Sequence, residues 1–322
     1  MDKIFSHPRQ FLNFIVRGEE HMKKAGWIVV FALILGGIGT LFSFQATKSI
    51  EDEKLQVHKE EAFTASEIQD IHVDTSSADI QFVEGKSNQI EVTLSGYARK
   101  WKEYSYEVEE EEGELNVNLK KKSNGLGFSF GFVRGDDLEL LVKVPKQKLE
   151  VVNIGTSSSE VTLRDLQVSQ LIAATSSGDI EVSSLEVDEQ LNLHSSSGSV
   201  MMTNIKGSDA EVELKTSSGD IEGKGLLFNE MKAQSSSGNV DVSHESLAGN
   251  LTAHTSSGDV TFLFEEEPQS FILDYQSSSG EERIQLDGIH YERRAEHEVK
   301  GYKGEQKYQI LVETSSGDFT LN

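Results

Sequence analysis

The chain has no cysteine among its 322 residues. That excludes disulfides, thiolate metal sites and a lipoprotein-type cysteine anchor. Proline is nearly absent, at three residues, and tryptophan is limited to two. Basic residues are scarce as well: 30 Lys and Arg stand against 54 Asp and Glu, a net charge of -24. A surface of that sign is repelled by nucleic acid and by anionic headgroups, so no nucleic-acid partner is expected. Long apolar runs are missing with one exception.

The exception is Ala25 to Phe44, AGWIVVFALILGGIGTLFSF, twenty residues without a charge. This is the length a helix needs to cross a bilayer core. Trp27 lies near one end, where aromatic side chains favour the interface. A cleaved signal peptide is the alternative. Its apolar core is ordinarily about 7–15 residues long and ends in a small-residue cleavage site. Here 24 residues precede the longer run and no A-x-A site follows it. Lys3, Arg9, Arg17, Lys23 and Lys24 lie before the span, and Lys48, Glu51, Asp52 and Glu53 just after it. The positive-inside rule then places residues 1–24 in the cytoplasm and residues 45–322 outside. The expected location is the cell membrane, with a single span. Five of the basic and three of the acidic residues precede position 45, so the outer part has 25 basic and 51 acidic residues and a charge of -26. Binding to a phosphate polymer would need a bridging divalent cation.

Two features of the first 44 residues bear on partners. Pro8 to Arg17, PRQFLNFIVR, is mostly apolar, with Gly18 as a stop. It reads as a short amphipathic helix lying on the inner leaflet, or as a docking segment for a neighbouring membrane protein. Within the span, Ala32, Gly36 and Thr40 recur every four residues, a spacing that lets two helices approach closely. The oligomeric state stays open at this level.

Beyond a polar stalk over 45–67, one tetrapeptide dominates. Thr/Ser-Ser-Ser-Gly ends at Gly178, Gly198, Gly219, Gly238, Gly258, Gly280 and Gly317, with steps of 20, 21, 19, 20, 22 and 37. Ala78 and Ser159 take the glycine position in two degenerate copies. A fixed period of this length signals stacked structural repeats. Seven residues before the glycine stand Leu171, Leu191, Val212, Met231, Leu251, Leu273 and Ile310, and two after it stand Ile180, Val200, Ile221, Val240, Val260 and Phe319. Apolar and polar positions alternate on both sides of the corner, which is strand periodicity with one buried face. Leu185, Ile205 and Leu226, seven residues after their glycines, suggest a third short side. The reading is an all-β parallel β-solenoid over 68–322, regular from about 153, with glycine supplying positive φ at each corner. An antiparallel sandwich or meander is the alternative.

The period breaks in three places. Tyr104, Tyr106 and Val108 alternate into an acidic turn, followed by Leu115, Val117 and Leu119, a hairpin signal. Phe128, Phe130 and Phe132 lie among glycines over 125–135. The step from Gly280 to Gly317 holds about 17 extra residues, the one basic and aromatic stretch of an acidic domain. It is expected to protrude as a hairpin, and Tyr291, Arg293, Arg294 and Tyr302 are its candidate contact residues. Since only five residues follow Gly317, the last copy is expected at the end of the stack.

No catalytic, cofactor or metal residues are assigned. His194 and His254 share a position that is Ala174, Lys215, Gln234, Gln276 and Glu313 in other copies, as an exposed site tolerates. The sequence has no G-x-S-x-G nucleophile elbow. Asp179, Asp220 and Asp259 follow their glycines with Ser199, Asn239 and Glu281 at the same position elsewhere. Calcium needs six or more converging oxygens, more than a spaced column supplies. A polysaccharide-cleaving enzyme would need a distinct acid/base pair, and no pair stands out among so many carboxylates.

The TSSGDI and TSSGDV copies, behind the Val144-Pro145-Lys146 segment and an apolar span, resemble the LiaG-like bacterial putative-adhesin family. The resemblance covers about Ile68 to Asn322. It implies a β-helix-like extracytoplasmic domain, mostly in Gram-positive bacteria, with some members in cell-envelope stress systems, and it supplies no catalytic residues. The function expected is a non-enzymatic surface module that contacts envelope components, wall polymers or partner membrane proteins. A wall-polysaccharide enzyme and a purely structural spacer are the competing readings.

Overall fold

Alternation on either side of each corner produces strands. The computed structural model describes residues 55–99, 101–121 and 136–322, with 22 strands. The first seven are β1 (Leu55–Thr64), β2 (Asp70–Thr75), β3 (Ala78–Gly85), β4 (Gln89–Ala98), β5 (Tyr104–Glu111), β6 (Glu114–Lys121) and β7 (Asp137–Pro145). The regular repeats follow as β8 (Lys148–Thr156), β9 (Val161–Arg164), β10 (Gln167–Thr175), β11 (Ile180–Ser195), β12 (Val200–Lys215), β13 (Ile221–Gln234), β14 (Val240–His244), β15 (Asn250–His254) and β16 (Val260–Phe264). The remainder holds β17 (Phe271–Gln276), β18 (Glu282–Ile284), β19 (His290–Ala295), β20 (Glu298–Lys303), β21 (Tyr308–Glu313) and β22 (Phe319–Leu321). Among the described residues no helix is long and apolar enough to cross a membrane. The 25–44 run, the 1–24 segment and the 125–135 phenylalanines all lie outside the described residues.

The strand before each corner pairs in parallel with its counterparts, and so does the strand after it. The first stack runs β2, β8, β10, the second halves of β11, β12 and β13, then β15. The second runs β3, β9, the first halves of β11 to β13, then β14 and β16. The expected third side is present: Leu185, Ile205 and Leu226 align in register. The chain turns into it at Asp165, Ser184, Asn204 and Gly225, which all have φ between 55° and 63°. Inside, Ile180, Val200, Ile221, Val240, Val260 and Phe319 form one fully buried column. No coil of two short strands buries such a face alone, so each is stabilised by its neighbours.

The corner glycines are required for a different reason than their sequence suggests. None of the seven has a positive φ. A Cβ on Gly219 would instead lie 2.1 Å from the carbonyl oxygen of Gly198, and one on Gly198 would lie 2.0 Å from that of Gly178. The same clash recurs up the column to Gly258. Glycine is there because adjacent coils touch at this corner. The positive-φ positions form another corner column, occupied mostly by Asp, Ser and Asn, short polar residues that tolerate that conformation.

The coils do not stack in chain order. β21 lies between β15 and β17, and β22 lies between β16 and β18. The C-terminal copy is therefore second from the end, not last as its position in the chain suggests. Phe319 sits between Phe262 (6.1 Å, edge-on) and Tyr275 (5.3 Å, stacked), which fixes the inserted coil through the core. The other end mirrors this: β2 lies between β6 and β8, and β3 between β7 and β9.

Antiparallel strands close both ends. β5 pairs with β6, β4 with β7, and β1 with β4. Leu55–Thr64 is thus part of the sheet, not of a stalk that extends to residue 67. At the far end β20 pairs with β17 and β19 with β20. The extra residues after Gly280 do form a hairpin. It caps the stack instead of protruding, because β17 has an open edge to be paired.

Among the described residues His244 is the one buried imidazole, at 5% exposure. Its Nδ1 lies 3.1 Å from the Leu226 carbonyl oxygen, so Nδ1–H donates there and Nε2 is left bare and without a partner. Phe264 stacks on the ring at 5.6 Å and Phe228 meets it edge-on at 5.9 Å. Burial holds its pKa below the ordinary 6.5, against the opposing pull of the Leu226 carbonyl.

Two outcomes follow in denaturant titrations. Gly219→Ala must push the Gly198 backbone aside and is expected to lose about 1–3 kcal/mol, as overpacking does. Gly155→Ala, in β8 with nothing within 4 Å of its new Cβ, should stay within about 0.5 kcal/mol. For His244, the unfolded ring takes up a proton near pH 6.5 and the folded ring only at lower pH. Stability from this residue is therefore full above 6.5 and declines as pH falls below it. The difference in stability between the wild type and His244→Phe should shift in favour of Phe from pH 7 to pH 5. A difference independent of pH would contradict the assignment.

Candidate functional site

The corner column is the first place to look for chemistry, because it concentrates hydroxyls and carboxylates. The first hydroxyl is buried in six of the seven copies, Thr175, Ser195, Thr216, Ser235, Thr255 and Thr314 being at most 8% exposed, and half-buried in the seventh, Ser277. Thr175, Ser195, Thr216 and Ser235 each do two jobs. Ser195 Oγ accepts from the N–H of its own Gly198 at 2.9 Å and donates to the Gly178 carbonyl of the previous coil at 2.9 Å. Thr216 repeats this with Gly219 (3.1 Å) and Gly198 (2.9 Å), and Ser235 with Gly238 (2.9 Å) and Gly219 (3.2 Å). These hydroxyls satisfy two backbone groups that would otherwise be buried without partners. They are not available as nucleophiles.

The residue after the glycine forms a second ladder. Asp179 Oδ1 accepts from Ser199 N–H (2.8 Å), Ser199 Oγ from Asp220 (3.2 Å), Asp220 Oδ1 from Asn239 (2.8 Å) and Asn239 Oδ1 from Asp259 (2.9 Å). It continues in spatial order, from Asp259 to Asp318 (2.8 Å) and from Asp318 to Glu281 (2.9 Å). Neutral Ser199 and Asn239 keep Asp179, Asp220 and Asp259 two strand spacings apart, about 9.6 Å. Among the described residues no three His, Asp or Glu side chains are grouped to hold a metal ion. The aspartates act as acceptors for backbone N–H groups of the next coil.

Of the two histidines at the shared position, His194 is exposed, and His254 Nδ1 is 3.0 Å from Glu313 on the adjacent inserted coil. His297 closes the hydroxyl ladder: beyond Gly280 no further coil supplies a hydroxyl, and His297 Nδ1 takes that place 3.2 Å from the Gly280 carbonyl. The only signal for this role in the sequence is that His297 lies in the one irregular step.

What remains are the two ends. At the far end the four candidate contact residues are split between the faces of the β19–β20 hairpin. Tyr291 and Arg294 face the core side, opposite Gly301 and Val299. The Arg294 guanidinium lies 4.8 Å above the Tyr291 ring, and its Nε is 3.3 Å from Glu282. On the outer face, Tyr302 packs against His290 (5.4 Å) and stands beside exposed Ile272. Arg293 pairs with Glu298 at 2.8 Å, and Lys300 with Asp274 at 3.3 Å. The hairpin thus presents aromatic and cationic side chains on both of its sides.

The near end carries a polar cluster that sequence inspection misses. Asp136 Oδ1 accepts from Arg99 N–H (2.9 Å), and Oδ2 from Tyr104 Oη (2.5 Å) and Lys121 Nζ (3.0 Å). Burial opposes its charge, but these three donors prevail and hold its carboxyl below the usual range. Burial and then the Asp136 bond push the Tyr104 phenol up. Trp101 stacks on Tyr104 at 5.6 Å, and Lys121 lies 5.2 Å above its ring. Lys121 and Asp136 lie on either side of the 122–135 segment, outside the described residues. Nothing in the alternation pattern marks Asp136, because its partners come from three separate stretches of chain.

A family model described as Toastrack DUF4097 matches residues 68–322. A solved structure described as a putative cell adhesion protein from Clostridium sporogenes ATCC 15579 is 9% identical, with 83% of this chain and 99% of that chain covered, at a TM-score of 0.33. Another, a putative adhesin from Parabacteroides distasonis ATCC 8503, is 12% identical over 82% and 97%, at 0.39. A third from the same strain, described as a putative lipid binding protein, is 13% identical over 82% and 97%, at 0.40. No curated protein matches. An all-β stack of repeats matched over residues 68–322, most of its length, this chain belongs to the Toastrack DUF4097 family.

Proposed function

We propose that the chain is a single-pass membrane protein, of LiaG-like kind, that displays its acidic stack outside the cell as a non-enzymatic contact module. The uncharged run at 25–44 supplies the anchor, and the five basic residues before it set the N-terminus in the cytoplasm. One observation carries the non-enzymatic reading. The first hydroxyl of the corner and the polar residue after its glycine are engaged in hydrogen bonds within and between coils. The side chains that depart from the repeat then lie at its ends: the aromatic, cationic hairpin of β19 and β20, and the region around Asp136. Envelope components or neighbouring membrane proteins are the partners in this reading, with a role in the response to envelope stress.

Because the chain has no cysteine, topology is testable with single thiols. Glu305→Cys should react with a membrane-impermeant maleimide on intact cells, and Ser6→Cys only after lysis. The opposite pattern, or equal labelling of both, would overturn the reading. A deletion strain should also respond differently to wall-active antibiotics, and purified chain should release no fragments from wall polymers.

A further inference from the structure

One of the two parallel stacks ends in a strand with a free edge at each end. Among the described residues β5 pairs only with β6, and β19 only with β20. A free edge offers unpaired N–H and C=O groups as a template for another strand. The two edges differ in charge. β5 reads YSYEVEEE, four glutamates and no basic residue. β19 reads HYERRA, with the Arg293 and Arg294 side chains 62% and 49% exposed. We propose that the chain associates head to tail with a second copy of itself, the acidic β5 edge of one pairing with the arginine-bearing β19 edge of the next.

Strand direction supports this pairing. β6 runs parallel to β2 and β5 antiparallel to β6, so β5 runs against the coil strands. β20 is antiparallel to β17 and β19 antiparallel to β20, so β19 runs with them. Shifting a second copy along the stack, without turning it over, brings its β5 beside β19 in antiparallel sense. The sheet then continues from one copy into the next.

The faces also agree. On β5, Glu110 lies opposite buried Leu115 of β6 and so shares the core side, while Glu109 and Glu111 are on the outer side. On β19, Arg294 is on the core side opposite Val299 and Arg293 on the outer side opposite Lys300, with Glu292 as the bulge residue between Tyr291 and Arg293. Keeping both faces in phase and opposing each arginine to a glutamate of β5 sets Arg294 against Glu110, Arg293 against Glu111 and Ala295 against Glu109. Each guanidinium has donors beyond those used by Glu282 and Glu298, so it can bridge an internal and an incoming carboxylate. Two β5 edges would set glutamates against glutamates, which disfavours self-pairing of like ends. Opposite ends meeting give a heterologous contact, which generates an open chain of copies.

This pairing draws on the strand edges alone and stands apart from the membrane reading. Its test again uses the absence of cysteine. Full-length chain carrying both Ala295→Cys and Glu109→Cys, purified in detergent, is treated with a short bismaleimide. It should give a ladder of dimers, trimers and higher multiples. Each single-cysteine chain should stay monomeric, and a mixture of the two should stop at dimers. Adding Arg293→Glu and Arg294→Glu should reduce the ladder at least tenfold, and further adding Glu110→Arg and Glu111→Arg should restore it. A monomeric double-cysteine chain overturns the proposal. So does a ladder indifferent to charge reversal, failure of the restoring swap, or crosslinking of Ala295→Cys alone as strong as that of the pair.

Discussion

The contact between a corner glycine and the carbonyl of the glycine beneath it governs this structure. With the projected Cβ about 2 Å from that oxygen, no side chain fits, so the identity of the residue follows from the spacing of the coils. The spacing in turn lets one hydroxyl reach two backbone groups on adjacent coils. Those bonds, at 2.9–3.2 Å for Ser195, Thr216 and Ser235, remove the cost of burying unpaired amides at a tight bend. Close approach, buried hydroxyl and alternating core strands are one constraint expressed at three positions of the same repeat.

That constraint explains what was legible in the sequence. Parallel stacking needs like residues at like positions, so the period and the core columns were readable from the aligned copies, and the third side from Leu185, Ile205 and Leu226. The cause of the corner glycine was not, since a sequence does not distinguish a residue chosen for positive φ from one chosen for lack of volume. The true left-handed positions, Asp165, Ser184 and Asn204, show no glycine and so raised no signal. Spatial order was equally hidden. Gly258, Gly280 and Gly317 look alike, and only the pairing of β21 with both β15 and β17 reveals that the last coil lies inside the stack. Of the candidate site, the β19–β20 hairpin was visible as a break in period, while Asp136 was invisible because its contacts join residues 99, 104 and 121.

Inserting both terminal coils changes how the stack is stabilised. In a simple array the ends fray, because the last coil has a neighbour on one side only. Here β2 and β21, the first and last coil strands of the first stack, each have a coil on both sides. The outermost strands of this stack, β5 and β19, belong to internal segments tied at both ends to the rest of the chain. The cost is kinetic: the partners of β21 lie 37 and 59 residues away, and those of β2 up to 81. Such non-local closure slows folding, and it makes completion of the ends depend on strands distant in the chain.

The same arrangement determines where a partner can bind. Along the flanks every repeat offers nearly the same surface, with its hydrogen-bonding side chains turned to the next coil. Distinctive groups require an interruption of the period, and the fold tolerates interruption only where a coil lacks a neighbour. The ends are therefore both the weak points of a stacked sheet and, among the described residues, the places where the repeat is interrupted most. Arg293 and Arg294 at one end and Glu107 to Glu111 at the other reflect this double role. Charge on an exposed edge prevents indiscriminate pairing, and opposite charge on the two edges leaves one specific pairing permitted.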